Sequence, residues 1–143
     1  MVRSYENLVE NGGQILTFKV NEVVYAVDIK IVTDIIELPE ITYIPKMPSY
    51  ISGVINLRGK VVPVIDLRER FSIEKINYDK KTCIIIITVQ EISVGLVVDR
   101  VVDTEMVTPQ NIEESLRKSG FVSHIISTND KIKLLLDYDK IIG

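Results

Sequence analysis

Strand-length runs of apolar, often β-branched residues dominate the chain, and most of these runs end at a turn-forming residue. This pattern predicts strands rather than helices. The longest apolar run, Cys83–Ile87, has the length and the β-branching of a buried strand. The predicted strands and strand pairs cover residues 14–20, 22–27, 32–38, 54–55, 60–66, 82–89, 92–98, 101–107 and 122–137.

Short turns connect several of these runs. Asn21-Glu22 predicts a tight hairpin, and Gly59 supplies the positive φ that the hairpin around residues 57–59 commonly needs. Pro63, inside a predicted strand, indicates an edge or a bulged position. Short helical turns are expected at residues 28–31, at residues 48–51, from Pro109 onwards and from Lys140 onwards.

The chain contains an internal repeat. Segment 51–67 returns as segment 122–138 at a constant offset of 71 residues, and Val20–Val27 returns as Val89–Leu96 at an offset of 69. Two copies are too few for a solenoid, so they predict a globule of two related lobes. The identical pairs at the first offset are Ser52/Ser123, Ile55/Ile126, Lys60/Lys131 and Asp66/Asp137.

One hairpin tip is not shared by the two copies. The first copy reads Asn56-Leu57-Arg58-Gly59, where the second reads Ser127-Thr128-Asn129-Asp130. Since the second copy forms the same hairpin without an arginine, folding alone does not require Arg58. A shared scaffold with one unshared tip predicts that the function resides at this tip.

The pattern as a whole predicts an all-β protein with minor short helices, built as small barrels or a sandwich. The more polar segment 71–81 separates the two copies. We therefore expect one lobe over residues 14–75 and the other over residues 82–143, and an exchange of strands between them is left open.

Composition and charge exclude several classes of function. The net charge is −3 with a pI near 5.2, and no basic stripe exists, which argues against nucleic acid and against anionic membrane surfaces. No apolar run is long enough to insert into a membrane. With one cysteine and no signal peptide, the chain is expected to be cytoplasmic.

The residues offer little chemistry. One His and one Cys cannot form a His/Cys metal cluster, and no nucleophile lies in a recognisable pairing with a base, so we expect no metal, no cofactor and no enzymatic activity. Cys83 is expected to be buried and inert, and His124 to be structural or at the surface. Asp66 and Asp137 end equivalent strands, which predicts a turn-capping role.

Asp34 is a candidate partner for Arg58. A carboxylate and a guanidinium would fix the shape of the hairpin tip rather than perform chemistry. The residues alone are equally compatible with two separately solvated side chains.

Segment Gly53–Leu67 closely resembles the hallmark of the CheW family of chemotaxis coupling proteins. Residues 27–35 and Val94–Val101 support the resemblance, which covers roughly residues 14–142. It implies two SH3-like five-stranded β-barrel lobes and no enzymatic activity. It also implies a role in bridging the cytoplasmic tip of methyl-accepting chemoreceptors and the regulatory domain of the histidine kinase CheA, in signalling arrays at the inner face of the membrane.

The resemblance also implies which residues bind the partners. Arg58 and Asp34 fall in the family's coupling region, and the loop that presents Arg58 is carried by its neighbours in the tip. The strand that contains Asp34 helps to form an apolar groove in the family. The implied partner-binding residues are Val32, Asp34, Ile35, Asn56, Leu57, Arg58 and Gly59.

A protein of another class remains the alternative. A small-ligand-binding β-barrel with an apolar cavity between its lobes would show the same composition and the same strand pattern. Such a protein should bind hydrophobic probes stoichiometrically, whereas an adaptor should capture CheA.

Overall fold

The computed structural model describes residues 5–115 and 120–143, which form two mixed β-sheets with three short helices. The prediction of an all-β chain with minor helices is confirmed. The strands, in chain order, are β1 Gly13–Val20, β2 Val23–Asp28, β3 Val32–Glu37, β4 Gly53–Leu57, β5 Lys60–Asp66, β6 Cys83–Val89, β7 Ile92–Val98, β8 Arg100–Val107, β9 Ile112–Glu114, β10 Val122–Thr128 and β11 Lys131–Leu136. The helices are α1 Glu6–Asn11, α2 Leu67–Arg70 and α3 Tyr138–Ile142, with 3-10 turns at Ile29–Ile31 and Pro109–Asn111.

Each sheet is built from both copies of the repeat. Sheet A has the order β8-β1-β2-β11-β10-β9, and sheet B has the order β3-β6-β7-β5-β4. Replacing every strand of sheet B by its counterpart in the other copy gives β8-β1-β2-β11-β10. The two sheets therefore have the same topology, and sheet A carries one additional edge strand, β9, beyond the five that were expected.

The two compact units of the chain follow the sheets. Lobe A combines the described residues of Met1–Ile31 and Val101–Gly143, and lobe B is Val32–Arg100. This grouping differs from the expected contiguous lobes at residues 14–75 and 82–143. The reason is that β2 pairs in parallel with β11, and β5 pairs in parallel with β7, so each copy gives one hairpin to each sheet.

Four hairpins among the described residues share one turn geometry. Each loop has two residues, both with positive φ, as in the turns that match the twist of antiparallel strands. The turn at Asn21-Glu22 is confirmed as predicted. The central residues of the turns are Asn21-Glu22, Arg58-Gly59, Gln90-Glu91 and Asn129-Asp130.

The repeated segments 51–67 and 122–138 form the same elements in the same register. Gly53 pairs with Val64, and its counterpart His124 pairs with Leu135. Asp66 accepts a hydrogen bond from the Arg68 amide at the start of α2, and Asp137 accepts one from the Asp139 amide at the start of α3. The predicted capping role of both aspartates is confirmed.

Each lobe has its own apolar core. The core of lobe A is formed by Leu8 of α1 with Ile15, Ala26, Val107, Ile126 and Leu135. The core of lobe B is formed by Ile55, Val62, Val64, Ile84, Ile86 and Val97. In lobe B, Val62 and Val64 of β5 and Ile84 and Ile86 of β6 lie at every second position, because strand side chains alternate between the two faces of a sheet.

The expected burial of Cys83 requires correction. Cys83 is half-buried rather than buried, because it is the first residue of β6 and lies at the end of the sheet. Near the start of the described chain, Gly12 caps α1 at φ 72, and a Cβ there would lie 2.6 Å from the Val107 carbonyl oxygen. The helix α1 itself was not predicted.

The pairing of β5 explains how this strand accommodates Pro63. β5 is an interior strand of sheet B, which contradicts a simple edge assignment. Its pairing with β7, however, begins only at Val64, so Pro63 has a strand neighbour on one side alone, through its pairing with Val54. The missing amide hydrogen therefore interrupts no pairing with β7.

Among the described residues, no helix is long and apolar enough to cross a membrane. Within the same residues, no cluster of three or more His, Cys, Asp or Glu side chains is placed to hold a metal ion.

Candidate functional site

The tip of the β4–β5 hairpin holds an arginine in an uncommon backbone conformation. Arg58 has φ 50 and Gly59 has φ 83, so both central residues of the turn are left-handed. This conformation is unfavourable for an arginine, whereas glycine and asparagine tolerate it. The Asn56 side-chain oxygen accepts a hydrogen bond of 2.9 Å from the Gly59 amide and stabilises the turn.

Arg58 binds Asp34 with two hydrogen bonds. The distances are 2.6 Å from Nη2 to Oδ1 and 3.2 Å from Nη1 to Oδ2. The arginine side chain is 66% exposed and the aspartate side chain 25%. Since β3 and β4 are the two outermost strands of sheet B, the ion pair shows that this sheet curls until its edges meet at the hairpin tip.

A β-bulge sets the direction of the side chains on β3. Val32 pairs with Ile87, and Asp34 pairs with Ile86, so Thr33 is the additional residue. In a bulge of this kind two successive side chains project to the same side of the sheet. Thr33 and Asp34 accordingly line the same groove.

The bulge also explains where the predicted apolar pair lies. Val32 and Ile35 are three residues apart and would face opposite sides of a regular strand. With one additional residue between them they face the same side, away from Asp34. Ile35 is 47% exposed there, and neither residue lines the groove beside Arg58.

A groove of about 600 Å³ lies beside the ion pair within lobe B. Its floor is apolar, with Leu57 and the buried side chains of Val62 and Ile86. Its rim is polar and carries both signs of charge. The rim residues are Thr33, Asp34, Arg58, Lys60, Thr88, Glu91 and Ser93. An apolar floor within a polar rim is typical of surfaces that bind proteins.

Lobe A has polar side chains at the corresponding positions. Lys133 replaces Val62, and Thr128 replaces Leu57, at the 71-residue offset. The Lys133 ammonium donates to Glu105 at 2.9 Å and also to Thr128, and the Thr128 hydroxyl donates to Glu105 at 2.6 Å. A buried ion pair therefore occupies in lobe A the place of the apolar floor in lobe B.

The predicted site residues thus fall into three groups. Asp34, Leu57 and Arg58 meet at the groove, as expected from the unshared tip. Asn56 and Gly59 form the turn that presents the arginine. Val32 and Ile35 lie on the other face of β3.

A second ion pair in lobe B was not predicted. Arg68 of α2 donates to Asp99 at 2.8 and 2.7 Å and to the Glu74 carbonyl at 2.8 Å, and its side chain is only 11% exposed. The hydrogen bond to Asp99 raises the pKa of Arg68. The sequence does carry a signal for this ion pair. Arg68 is another residue that the two copies do not share, because the second copy has Asp139 at the equivalent position.

Tyr78, which is 47% exposed, extends this polar network towards the surface. Its hydroxyl donates to Asp66 at 2.7 Å, and Asp66 also caps α2. Burial, and then the hydrogen bond to this carboxylate, raise the pKa of Tyr78. The network fixes the connection between β5 and β6 and has the character of a structural anchor rather than of a binding site.

His124 is half-buried in β10 and lies between Glu114 and Leu135 of the adjacent strands. Its ring lies 5.1 Å from that of Tyr5, between centroids. Burial lowers the pKa of His124, and the carboxylates of Glu114 and Asp137 partly oppose that effect. Within the described part of the chain its Nδ1 has no hydrogen-bond partner, which fits a structural role.

The chain is similar to known proteins over most of its length. A family model described as a CheW-like domain matches residues 14–143. Chemotaxis protein CheW of Bacillus subtilis (strain 168) is 34% identical over 139 residues, covering 94% of this chain and 89% of that protein. Chemotaxis protein CheW of Thermotoga maritima is 31% identical over 134 residues, covering 90% and 87%.

A solved structure has the same fold. The crystal structure of scaffolding protein TtCheW from Thermoanaerobacter tengcongensis superposes with a TM-score of 0.82 at 35% identity. The match covers 88% of this chain and 89% of that chain. The resemblance that the sequence suggested is confirmed at the level of the family.

Proposed function

We propose that this chain, which belongs to the family of CheW-like domains, is a non-enzymatic chemotaxis scaffold that links chemoreceptors to the histidine kinase CheA. Its partners are the cytoplasmic tip of methyl-accepting chemoreceptors and the regulatory domain of the kinase. It acts in the cytoplasm and is recruited to receptor arrays at the inner face of the membrane.

The proposal rests on one difference between the two lobes, which have the same fold but different side chains at the equivalent hairpin. Lobe B presents Arg58, held by Asp34, beside a groove with an apolar floor. Lobe A has a buried lysine and its ion-pair partner at the corresponding place. A site that only one copy possesses, on a surface of mixed polarity, is what a protein–protein contact requires.

The two faces of β3 suggest how one lobe could serve two partners. Asp34 and Arg58 belong to the groove, while Val32 and Ile35 form an apolar pair on the other face. In the proposal the groove and the apolar pair bind separate protein surfaces. The solved relative TtCheW is a scaffolding protein, which agrees with such a role.

The experiment is a three-component binding assay with purified proteins. The chain should bind the CheA regulatory domain and a receptor-tip fragment separately, and the three should elute together in size-exclusion chromatography. Binding of neither protein by the folded chain would refute the proposal. Stoichiometric binding of a hydrophobic probe without protein binding would instead favour the small-ligand alternative.

A further inference from the structure

We propose that Thr33 is a positioning residue of the partner-binding site: its hydroxyl stabilises the bulge that determines the two faces of β3. The inference deepens the proposed function and rests on it. Thr33 need not contact a partner, because its effect is exerted through the side chains on either side of it.

The bulge separates residues that a regular strand would arrange differently. Thr33 is the additional residue between the pairs Val32–Ile87 and Asp34–Ile86. Without it, Val32 and Asp34 would share one face, because strand side chains repeat every two residues. The bulge instead keeps Asp34 beside Arg58 and turns Val32 to the face of Ile35.

The Thr33 hydroxyl adds a hydrogen bond at the bulge. A bulge disrupts the regular ladder locally, so a side-chain hydrogen bond across it helps to hold the bulged strand against its neighbour. The Thr33 hydroxyl donates to the Ile86 carbonyl oxygen at 3.3 Å, opposite the bulge. It also lies 3.1 Å from the Thr88 hydroxyl, which lies 2.8 Å from that of Ser93.

These three hydroxyl groups form a row across β3, β6 and β7 along the wall of the groove. Their spacing is that of hydrogen bonds, so each group orients the next. The end of the row at Thr33 is the one that touches the bulge. The row therefore ties the bulge to the inner strands of sheet B.

Lobe A lacks this row at the corresponding positions. At the 69-residue offset Thr33, Thr88 and Ser93 correspond to Val102, Lys19 and Val24. The aspartate equivalent to Asp34 is Asp103, and it bonds directly to Thr17 of the adjacent strand, with the hydroxyl donating at 2.7 Å. The hydroxyl row thus occurs in the lobe that has Arg58 and the groove.

The test compares isosteric variants. Thr33→Val keeps the shape and the β-branching but loses the hydroxyl, and it reproduces the residue that lobe A uses. We expect its binding to the CheA regulatory domain and to the receptor tip to weaken about fivefold or more, as for the loss of one hydrogen bond. Thr33→Ser should restore binding to within about twofold of the original chain.

Two control variants separate an effect on side-chain positions at the site from an effect on the stability of the fold. Thr88→Val interrupts the row but leaves the hydrogen bond from the Thr33 hydroxyl to the Ile86 carbonyl oxygen in place, so it should weaken binding less than Thr33→Val does. Ile84→Val removes one methylene group from the core of lobe B and lowers stability without removing a hydrogen bond of the row or of the Arg58–Asp34 pair. It should bind normally at a temperature well below its unfolding midpoint.

Amide NMR spectra provide a readout that does not depend on a partner. Thr33→Val should shift the resonances of Asp34, Ile86 and the Arg58 side chain, and Thr33→Ser should return them. Unchanged spectra or unchanged binding in Thr33→Val would overturn the inference, as would a failed rescue by serine or an equal loss in either control. If the original chain bound neither protein, the proposed function would fail, and the spectra would still decide the role of Thr33.

Discussion

Arg58 holds the Asp34 carboxylate with two hydrogen bonds and thereby joins the hairpin tip of β4–β5 to the opposite edge strand of the same sheet. The pair is largely exposed on the arginine side, so its contribution to stability is small. Its geometrical effect is larger, because it fixes a guanidinium next to the groove. The predictions below separate these two effects.

Replacing Arg58 by asparagine should leave the fold intact. The exposed ion pair is lost, but asparagine tolerates the left-handed conformation of this residue, as Asn129 does at the equivalent position with φ 50. We expect the free energy of unfolding to change by less than about 1 kcal/mol. Urea denaturation measures it, and a larger loss would mean that Arg58 is structural.

Arg58→Ala differs from Arg58→Asn in the cost of the turn. Arginine and alanine both carry a backbone cost of roughly 1 kcal/mol at φ 50, whereas asparagine relieves part of it. We therefore expect Arg58→Ala to be less stable than Arg58→Asn, while both lose the ion pair. Equal stabilities of the two variants would show that the turn does not constrain this residue.

Replacing Arg68 by alanine should destabilise the fold strongly, unlike the replacement of Arg58. Arg68 also binds an aspartate with two hydrogen bonds. Its side chain is buried, so its removal leaves Asp99 partly buried without this cation and frees the Glu74 carbonyl. The expected loss is about 3–5 kcal/mol. A loss below about 1 kcal/mol in the same denaturation experiment would contradict the assignment of a structural anchor.

Asp34→Asn tests whether the ion pair acts as a unit. If Asp34 serves to orient Arg58, the variants Asp34→Asn and Arg58→Asn should weaken partner binding equally, and the double variant should weaken it no further. Isothermal titration with the CheA regulatory domain measures all three. Additive losses would instead mean that each side chain contacts the partner on its own.

His124 should make stability depend on pH. Its pKa in the folded state is lowered by burial, while the unfolded chain binds the proton near the ordinary value of about 6.5. Between those two values the unfolded state holds more protons, so the free energy of unfolding falls as the pH is lowered below about 6.5. Above that window the imidazole is neutral in both states and contributes no slope.

His124→Phe removes this titration and keeps a ring against Tyr5. The difference in unfolding free energy between the original chain and the variant should be constant at neutral pH and above. It should change as the pH is lowered through about 6.5, with the original chain losing more stability. Parallel curves across that range would show that burial does not perturb His124.

The sequence predicted those features of the fold that depend on neighbouring residues along the chain. The two-residue turns, the caps at Asp66 and Asp137 and the matched hairpins all follow from neighbouring residues and from the repeat. Arg58 was identified because only one copy has it, and its pairing with Asp34 was one of two possibilities until the structure placed the side chains 2.6 Å apart.

Non-local features could not be predicted in the same way. Since the two copies have similar hairpins, nothing in the pattern decides whether β5 pairs with β2 of its own copy or with β7 of the other copy, and the structure has the latter. The bulge at Thr33 leaves the strand pattern nearly unchanged and yet reverses the face of Val32. Cys83 was misplaced because an apolar run does not show where its strand begins.

The central claim is that lobe B binds the signalling partners through the site at Arg58, and the most direct measurement compares complex formation by the original chain and by Arg58→Asn. Both proteins are titrated with the CheA regulatory domain and the receptor tip under conditions where both are folded. We predict a three-component complex with the original chain and binding weakened by about tenfold or more in the variant. Equal assembly by the folded variant would contradict the claim.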